Sequence, residues 1–442
     1  MIQFNRPGSA AWKCIKKIKN YRLIWPEITR ITLLYLSWLR ELKQSHTKDF
    51  SESMSKPEHE PWRILLAPDK FKGTLSAAEA AKVMAEVLEE IFPGVTLVIQ
   101  PMGDGGEGTA EILAAEEGAA EAKCRVHDPL YRMVTAGYRI SPGGKRAYME
   151  IASASGLQLL KNEERNCAET SSIGTGEMIL NAIERGVREI YLCLGGSATN
   201  DGGTGMARAL GYRFTDVNGN PVEPAGRDLE RICAIDDSQV MSLLRKVGFR
   251  VLCDVTSPLT GPAGAAVMYG PQKGARAQDI PALDAGLKNL AERVREKYAI
   301  DIDQVPGAGA AGGLGGGAMA FLHARPERGI EVVIQKTSLE EKLQRCDLVI
   351  TGEGKLDQQT LQGKTVYGIA SLARKYNKPV VAICGLSTLS ESEMNACGLT
   401  LAIEISRHEA TRGIAMRHAK NNLRAGLKGA KNVLTGLLKR QE

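Results

Sequence analysis

"EIYLCLGGSATNDGGTG", residues 189–205, joins an apolar run of strand length to a loop with five glycines between residues 194 and 205. A short apolar run bounded by glycine reads as a buried strand. The loop then gives up side chains just where the strand ends, which lets the backbone approach something closely. Ser197, Thr199, Asn200 and Asp201 are its polar members. Asn-Asp-Gly-Gly is strong turn chemistry, so a plain turn is the competing reading of the same residues.

The strand-then-glycine pattern recurs along the chain. "RILLA" begins at Arg63 and stops at Pro68, and "SAAEAAKVMAEVLEEIF" follows with Ser76 and Glu79 in capping-box spacing. "TLVIQPM", "DGGEGT" and the helical "AEILAAEEG" repeat the unit. The middle differs. "AKCRVHDPLYRMVTAGYRIS" and "RAYMEIA" alternate as longer antiparallel strands, and "IGTGEMILNAIERG" is a helix leading into the opening strand. "FRVLCDV" is a further strand, followed by a Gly/Pro-rich passage to Gly274 and a helix from about Pro281 to Tyr298. Strand-helix units return with "CDLVI", "PVVAICG" and "LTLAIEI". The pattern predicts an α/β protein in which residues 62–121 and 306–442 share one parallel sheet, interrupted by an inserted mixed α/β domain at 122–305.

Composition narrows the function classes. The chain has 442 residues with 43% hydrophobic and 24% charged side chains, ordinary for a globular protein. Nine cysteines lack any C-x-x-C pair, which reads as reduced thiols and a cytoplasmic protein. Six histidines show no zinc spacing. The net charge is 57 − 51 = +6, but residues 1–53 carry ten Lys/Arg against four Asp/Glu, 10 − 4 = +6, so the rest is formally neutral. A nucleic-acid partner is therefore not expected for the body of the protein. The same segment holds Trp12, Trp25 and Trp38 of four tryptophans. Its stretch 26–44 has the pattern of an amphipathic helix too charged to span a bilayer. A surface helix, an interfacial anchor, or translated sequence upstream of a start at Met54 all remain open for it. No membrane partner is expected for the body, and the oligomeric state is left open, a homodimer included.

Several loops combine glycine with acids or lysines after strand ends: "PDKFKG" (68–73), "GDGGEGT" (103–109), "GGSATNDGG" (195–203), "DVTSPLTG" (254–261) and "TGEGKLD" (351–357). In open α/β sheets ligands bind outside the carboxyl ends of the strands. Backbone amides and lysines suit phosphate oxygens, and carboxylates suit Mg2+ or a proton. Two familiar motifs fail. "GAGAAG" (307–312) follows no buried strand, and "QGKT" (362–365) ends like a phosphate-binding loop but has Gln358 where the motif needs glycine. The run 307–317, with seven glycines, reads as a hinge or phosphate-facing loop, with close backbone packing as the alternative.

Together these stretches resemble the type I glycerate kinase family. "APDKFKGTLSA", "MGDGGEGT", "EIASASGL", "GGSATNDGG", "DVTSPLTG", "GPQKGA", "GAGAAGGLG" and "LVITGEGKLDQQTLQGKT" occur in the family's order from Arg63 nearly to the end. The resemblance implies a Rossmann-like doubly wound domain interrupted by a second α/β domain, with the active site between them. It implies transfer of the γ-phosphoryl of ATP, with Mg2+, to D-glycerate, most simply giving 2-phosphoglycerate. On these motifs Asp201, Asp104 and Lys72 are the expected catalytic residues. Asp254, Glu353 and Asp357 are the expected metal ligands. Asp69, Lys70, Gly105, Gly106, Glu107, Gly195, Gly196, Ser197, Thr199, Asn200, Lys273, Gly309, Gly312 and Gly313 are expected to bind substrate or phosphate. The alternative is a non-catalytic sugar-acid-binding or regulatory protein on the same fold, against which the joint retention of these charged residues argues. Ser257 stands where the family usually has Asn, and residues 1–61 have no counterpart in the pattern.

Overall fold

The computed structural model describes residues 61–440. The expected N-terminal extension, its amphipathic helix and the question of Met54 lie outside the described residues. Among the described residues no helix is long and apolar enough to cross a membrane.

Five parallel strands form one sheet in the order Leu401–Glu404, Val380–Ser387, Leu348–Leu356, Arg63–Pro68, Thr96–Ile99. Strands from the two ends of the described chain thus share a sheet, as the pattern predicts. Leu66 lies between Ile350 and Ile99 in register. Both faces of the central strand are apolar: Ile64, Leu65, Leu66 and Ala67 are all fully buried. That double burial is why the strand reads as a continuous apolar run rather than an alternation.

The second sheet has six strands, ordered Arg325–Glu327, Gly248–Leu252, Glu189–Cys193, Arg146–Glu150, Met133–Ile140, Ala120–His127. Its first four are parallel, and the last two add an antiparallel hairpin edge. A two-stranded ribbon, Arg213–Thr215 with Ala234–Asp236, stands apart. Because Arg325–Glu327 pairs with Gly248–Leu252, the last strand of this sheet comes after residue 306. We therefore propose that the chain returns to the first sheet at about residue 328 rather than at 306.

Among the described residues side-chain alternation sorts the interior into three large cores, with a small fourth cluster at Cys167, Ala266 and Leu283. Ile64 and Leu66 pack with helices Ala77–Ile91, Ala419–Gly429 and Lys431–Lys439 on one face of the first sheet. Leu65 and Ala67 point the other way, into a core built from helices Thr109–Glu116, Gly329–Lys336, Leu339–Gln344 and Thr365–Lys375. Tyr148, Tyr191, Cys193 and Leu252 of the second sheet enter that same core. Their neighbours Met149, Ile190, Leu192 and Val251 face a third core, with helices Ile173–Glu184, Ile280–Tyr298 and Leu314–Leu322. The layers run helix, sheet, helix, sheet, helix, and the two sheets hold one helical layer in common. The predicted capping box is present: Ser76 Oγ accepts from Glu79 N at 3.2 Å and Glu79 accepts from Ser76 N at 2.8 Å.

Candidate active site

The carboxyl ends of the strands Arg63–Pro68 and Leu348–Leu356 and those of Glu189–Cys193 and Gly248–Leu252 send their loops to a common region. Loop 103–108 lies at its centre. A Cβ on Gly105, whose φ is +85°, would stand 2.7 Å from the Leu252 carbonyl carbon. A Cβ on Gly195 would stand 2.5 Å from the Glu107 amide nitrogen. Glycine is required at both points because backbone packs on backbone there. The amides of Gly105 and Gly106 are already used, donating to Thr109 Oγ1 and Asp104 Oδ1 at 3.1 Å each. Those of Gly195 and Gly196 make no backbone hydrogen bond among the described residues, so they are the donors open to an anion.

A charged cluster occupies the cleft beside this loop. Lys70 Nζ lies 3.5 Å from Asp69 Oδ1 and 3.4 Å from Asp104 Oδ1. Asp69 is anchored from both sides: its Oδ2 accepts from Thr365 Oγ1 at 2.6 Å and its Oδ1 from Lys70 N at 2.6 Å. Glu353 Oε1 accepts from Thr360 Oγ1 at 2.7 Å. Asp254 Oδ2 accepts from Ile330 N at 3.1 Å, while its Oδ1 is buried without a partner. Glu150 bonds the Gly108 amide at 2.5 Å and closes the far side.

Burial sets the protonation of these groups. It pushes Asp254 up to about 7, with the nearby Asp104 charge adding to the effect. It pushes Glu353 up to about 7 as well, reinforced by Asp69 and Asp104. Burial raises Asp69 too, against the pull of Lys70. For Asp104 burial is outweighed by Lys70 and Lys364, which hold that carboxyl below its ordinary range. Burial would discharge Lys70, but its two carboxylate neighbours keep it firmly protonated. The cleft therefore sets the Lys70 ammonium beside an ionised Asp104, with Asp69, Asp254, Glu353 and Glu150 raised by burial around them.

The Asn-Asp pair is elsewhere. Asp201 is fully buried, and both its oxygens are taken. Oδ2 accepts from Ser172 N at 2.7 Å, Ser172 Oγ at 2.8 Å and Gly205 N at 3.2 Å, and Oδ1 accepts from Gly203 N at 3.1 Å. It anchors the start of the helix Thr204–Ala209 from below instead of facing Lys70. Lys273, 3% exposed, donates to Ser197 Oγ at 2.7 Å and Thr199 O at 2.8 Å, and burial lowers it to about 8. Asn200 is fully buried beside them.

The expected site residues thus divide. Asp69, Lys70, Asp104, Gly105, Gly106, Asp254 and Glu353 come together at the cleft, with Gly195 and Glu107 touching its central loop. Ser197, Thr199, Asn200, Asp201 and Lys273 form a deeper group. Gly309, Gly312 and Gly313 lie behind it. The whole run 307–317 is buried, and a Cβ on Gly312 would stand 1.9 Å from Thr199 O. That packing is too close for the run to act as the expected hinge, so the close-packing alternative accounts for it. Lys72 is exposed, and Asp357 turns to Lys355 at 3.0 Å. Asp254, Glu353 and Asp357 do not converge: among the described residues no three His, Cys, Asp or Glu side chains could jointly hold a metal ion. Ser257 Oγ pairs with Tyr269 OH at 2.9 Å.

Lys364 and Arg328 are additions that the sequence reading missed. Lys364 Nζ bonds Gln359 Oε1 at 3.1 Å, and its charge acts on Asp104, Glu353 and Asp357. It directly precedes the helix Thr365–Lys375, whose start has no side-chain cap. Arg328 bonds Gly363 O at 2.8 Å and so ties the second sheet's last strand to that loop. The signal for Lys364 was "QGKT": a lysine before a helix start matters even when the full motif fails.

The family model described as the glycerate kinase family matches residues 64–435. A glycerate 2-kinase of Escherichia coli K12 is 43% identical over 361 residues, which is 82% of this chain and 95% of that protein. A glycerate kinase of Halalkalibacterium halodurans is 44% identical over 322 residues, 73% of this chain and 85% of that one. A crystal structure described as a candidate glycerate kinase 2 from Salmonella typhimurium LT2 superposes with a TM-score of 0.72 at 38% identity, covering 85% of this chain and 99% of the other.

Proposed function

The chain belongs to the glycerate kinase family, and from that premise we propose that it transfers the γ-phosphoryl group of ATP to a hydroxyl of D-glycerate, giving 2-phosphoglycerate. The observation that carries this reading is the ammonium of Lys70 set between Asp69 and Asp104 where loops from both sheets meet. Phosphoryl transfer asks little covalent chemistry of a protein; it asks for positioning and for fixed charge around the transferred group.

Each requirement has a residue. Lys70 and Lys364 supply the positive charge that spreading negative charge on the phosphoryl oxygens needs. The amides of Gly195 and Gly196 supply neutral donors. Asp104, held ionised, would take the proton of the attacking hydroxyl. Asp254 is the carboxylate that would hold Mg2+: it has a buried oxygen without a partner, and burial pushes it up to about 7. One carboxylate is enough, because Mg2+ usually completes its octahedron with phosphate oxygens and water. When bound, the ion would neutralise charge on the phosphates.

The test is incubation of the full chain with D-glycerate and Mg·ATP, with the product identified by phosphorus NMR. A phosphomonoester on carbon 2, abolished by EDTA, is the expected result. Turnover of an unrelated acceptor, with none on D-glycerate, would overturn the proposal.

A further inference from the structure

The loop that opens the sequence analysis continues from the cleft into the protein. There it runs beside residues 170–172, and the two segments are pinned together twice. Thr170 Oγ1 donates to Ala198 O at 2.8 Å, and Ser172 donates through N and Oγ to Asp201 Oδ2. Between the pins lie Ser171 on one segment and Thr199 and Asn200 on the other. These carry four buried polar atoms without any hydrogen-bond partner: Ser171 Oγ, Thr199 Oγ1, Asn200 Oδ1 and Asn200 Nδ2. All three residues are fully buried.

Such a deficit is unusual. Each buried polar group left unpaired costs about 1–3 kcal/mol, so native interiors hold few of them and rarely several together. A lysine stands at the same place. Lys273 bonds only two neutral oxygens, Ser197 Oγ and Thr199 O, although its ammonium has three hydrogens. Carboxylate Asp201 is nearby, but its oxygens are filled by Ser172, Gly203 and Gly205. Tyr131, 41% exposed, has its side chain near Ser171.

We propose that Ser171, Thr199, Asn200 and Lys273 form the subsite that receives the carboxylate of the acceptor, a short 2-hydroxy acid, and leave its 2-hydroxyl turned to the cleft. The chemistry matches atom for atom. A carboxylate needs cationic and neutral donors, which Lys273, the Asn200 amide and the two hydroxyls provide. The hydroxyl that does not react, on carbon 3, needs an acceptor, which Asn200 Oδ1 provides. The same loop presents Gly195 and Gly196 to the phosphoryl donor and holds the acid a few residues further on. This assignment rests on the kinase reading for its substrate, yet the two can fail separately.

The test is calorimetric binding of D-glycerate, D-glyceramide and Mg·ATP to the full chain and to Asn200→Leu, with thermal midpoints measured alongside. Replacing an unpaired buried amide with an apolar group of similar size should leave the midpoint unchanged or raised. D-glycerate should bind about 10- to 100-fold more weakly to the variant, with Mg·ATP unaffected. The wild type should discriminate against the uncharged amide by a similar factor. Unchanged glycerate affinity in the variant would overturn the proposal. So would a fall of several degrees in the midpoint, since it would show the amide to be paired inside the fold. Ser171→Ala and Thr199→Val, read by the same affinities, repeat the test at the two hydroxyls. A chain that binds D-glycerate here but transfers no phosphoryl group would sink the kinase proposal alone. A kinase indifferent to all three substitutions would sink this one alone.

Discussion

The ammonium of Lys70 stands 3.4 Å from Asp104 Oδ1, with each side chain about one-fifth exposed, at the point where loops from two different sheets meet. A lysine in that position both keeps a carboxylate ionised and offers charge to a phosphoryl group. Lys70→Met should therefore lower kcat by about 10²- to 10³-fold, the usual effect of removing one charge-stabilising donor. It should also move the acidic limb of the pH–rate profile upward, because Asp104 loses its main counter-charge. Steady-state kinetics from pH 5 to 9 would check both, and activity within a few-fold of wild type would remove Lys70 from the mechanism.

Asp254 and Glu353 give a prediction about pH and cation together. Both are pushed up to about 7 by burial, from ordinary values of 3.8 and 4.5. The folded chain thus holds protons on them that the unfolded chain has released. Between about pH 4 and 7 the folded state binds more protons, so stability falls as pH rises through that window and levels off above it. Without divalent cation, the thermal midpoint should drop from pH 5 to pH 7.5, and Asp254→Asn should flatten the drop. Mg2+ should raise the midpoint at pH 8 and do little at pH 5. An equal effect of Mg2+ at both pH values would place the ion elsewhere.

Asp201 should matter to folding before it matters to turnover. Asparagine has one acceptor oxygen and would turn an NH2 group toward the N–H donors of Ser172, Gly203 or Gly205. Asp201→Asn should lose about 1–3 kcal/mol for each donor left unpaired, read as a lower urea midpoint. A variant that keeps its urea midpoint but loses about a hundredfold in turnover would return Asp201 to the general-base role the sequence first suggests.

Gly312→Ala tests the close packing behind the acceptor loop. The new Cβ would meet Thr199 O at 1.9 Å on a backbone with φ +71°. Strain of that kind costs about 1–3 kcal/mol before the clash is counted. The thermal midpoint should fall and glycerate affinity with it, since Thr199 must move. An unchanged midpoint would mean that the run 307–317 is more yielding than its burial implies.

Much of this was legible beforehand. The parallel sheet shared by both ends of the described chain followed from apolar runs of strand length broken by glycine loops. The loops bearing Asp69, Asp104, Asp254 and Glu353 were found because acids beside glycine after a strand have few structural uses. What the sequence did not show was which way each side chain turns within its loop. The side chain of Asp201 points away from the cleft because the helix after it needs its first amides capped, and a turn motif looks the same whether it caps a helix or faces a ligand. Ser172 gave no signal, since its partner Asp201 lies 29 residues on in the chain. The pairing of Arg325–Glu327 with the second sheet was not legible because it is a three-residue edge strand containing a proline, too short for periodicity to register.

The helical layer between the sheets has a consequence for how this protein can be taken apart. One face of it is covered by Leu65 and Ala67, the other by Tyr148, Tyr191 and Leu252. A fragment ending anywhere between the two sheets would carry away a bare aromatic wall or a bare aliphatic one. Neither half is a portable module. Fragments expressed apart should be insoluble alone and recoverable only when made together, each acting as the missing interior of the other.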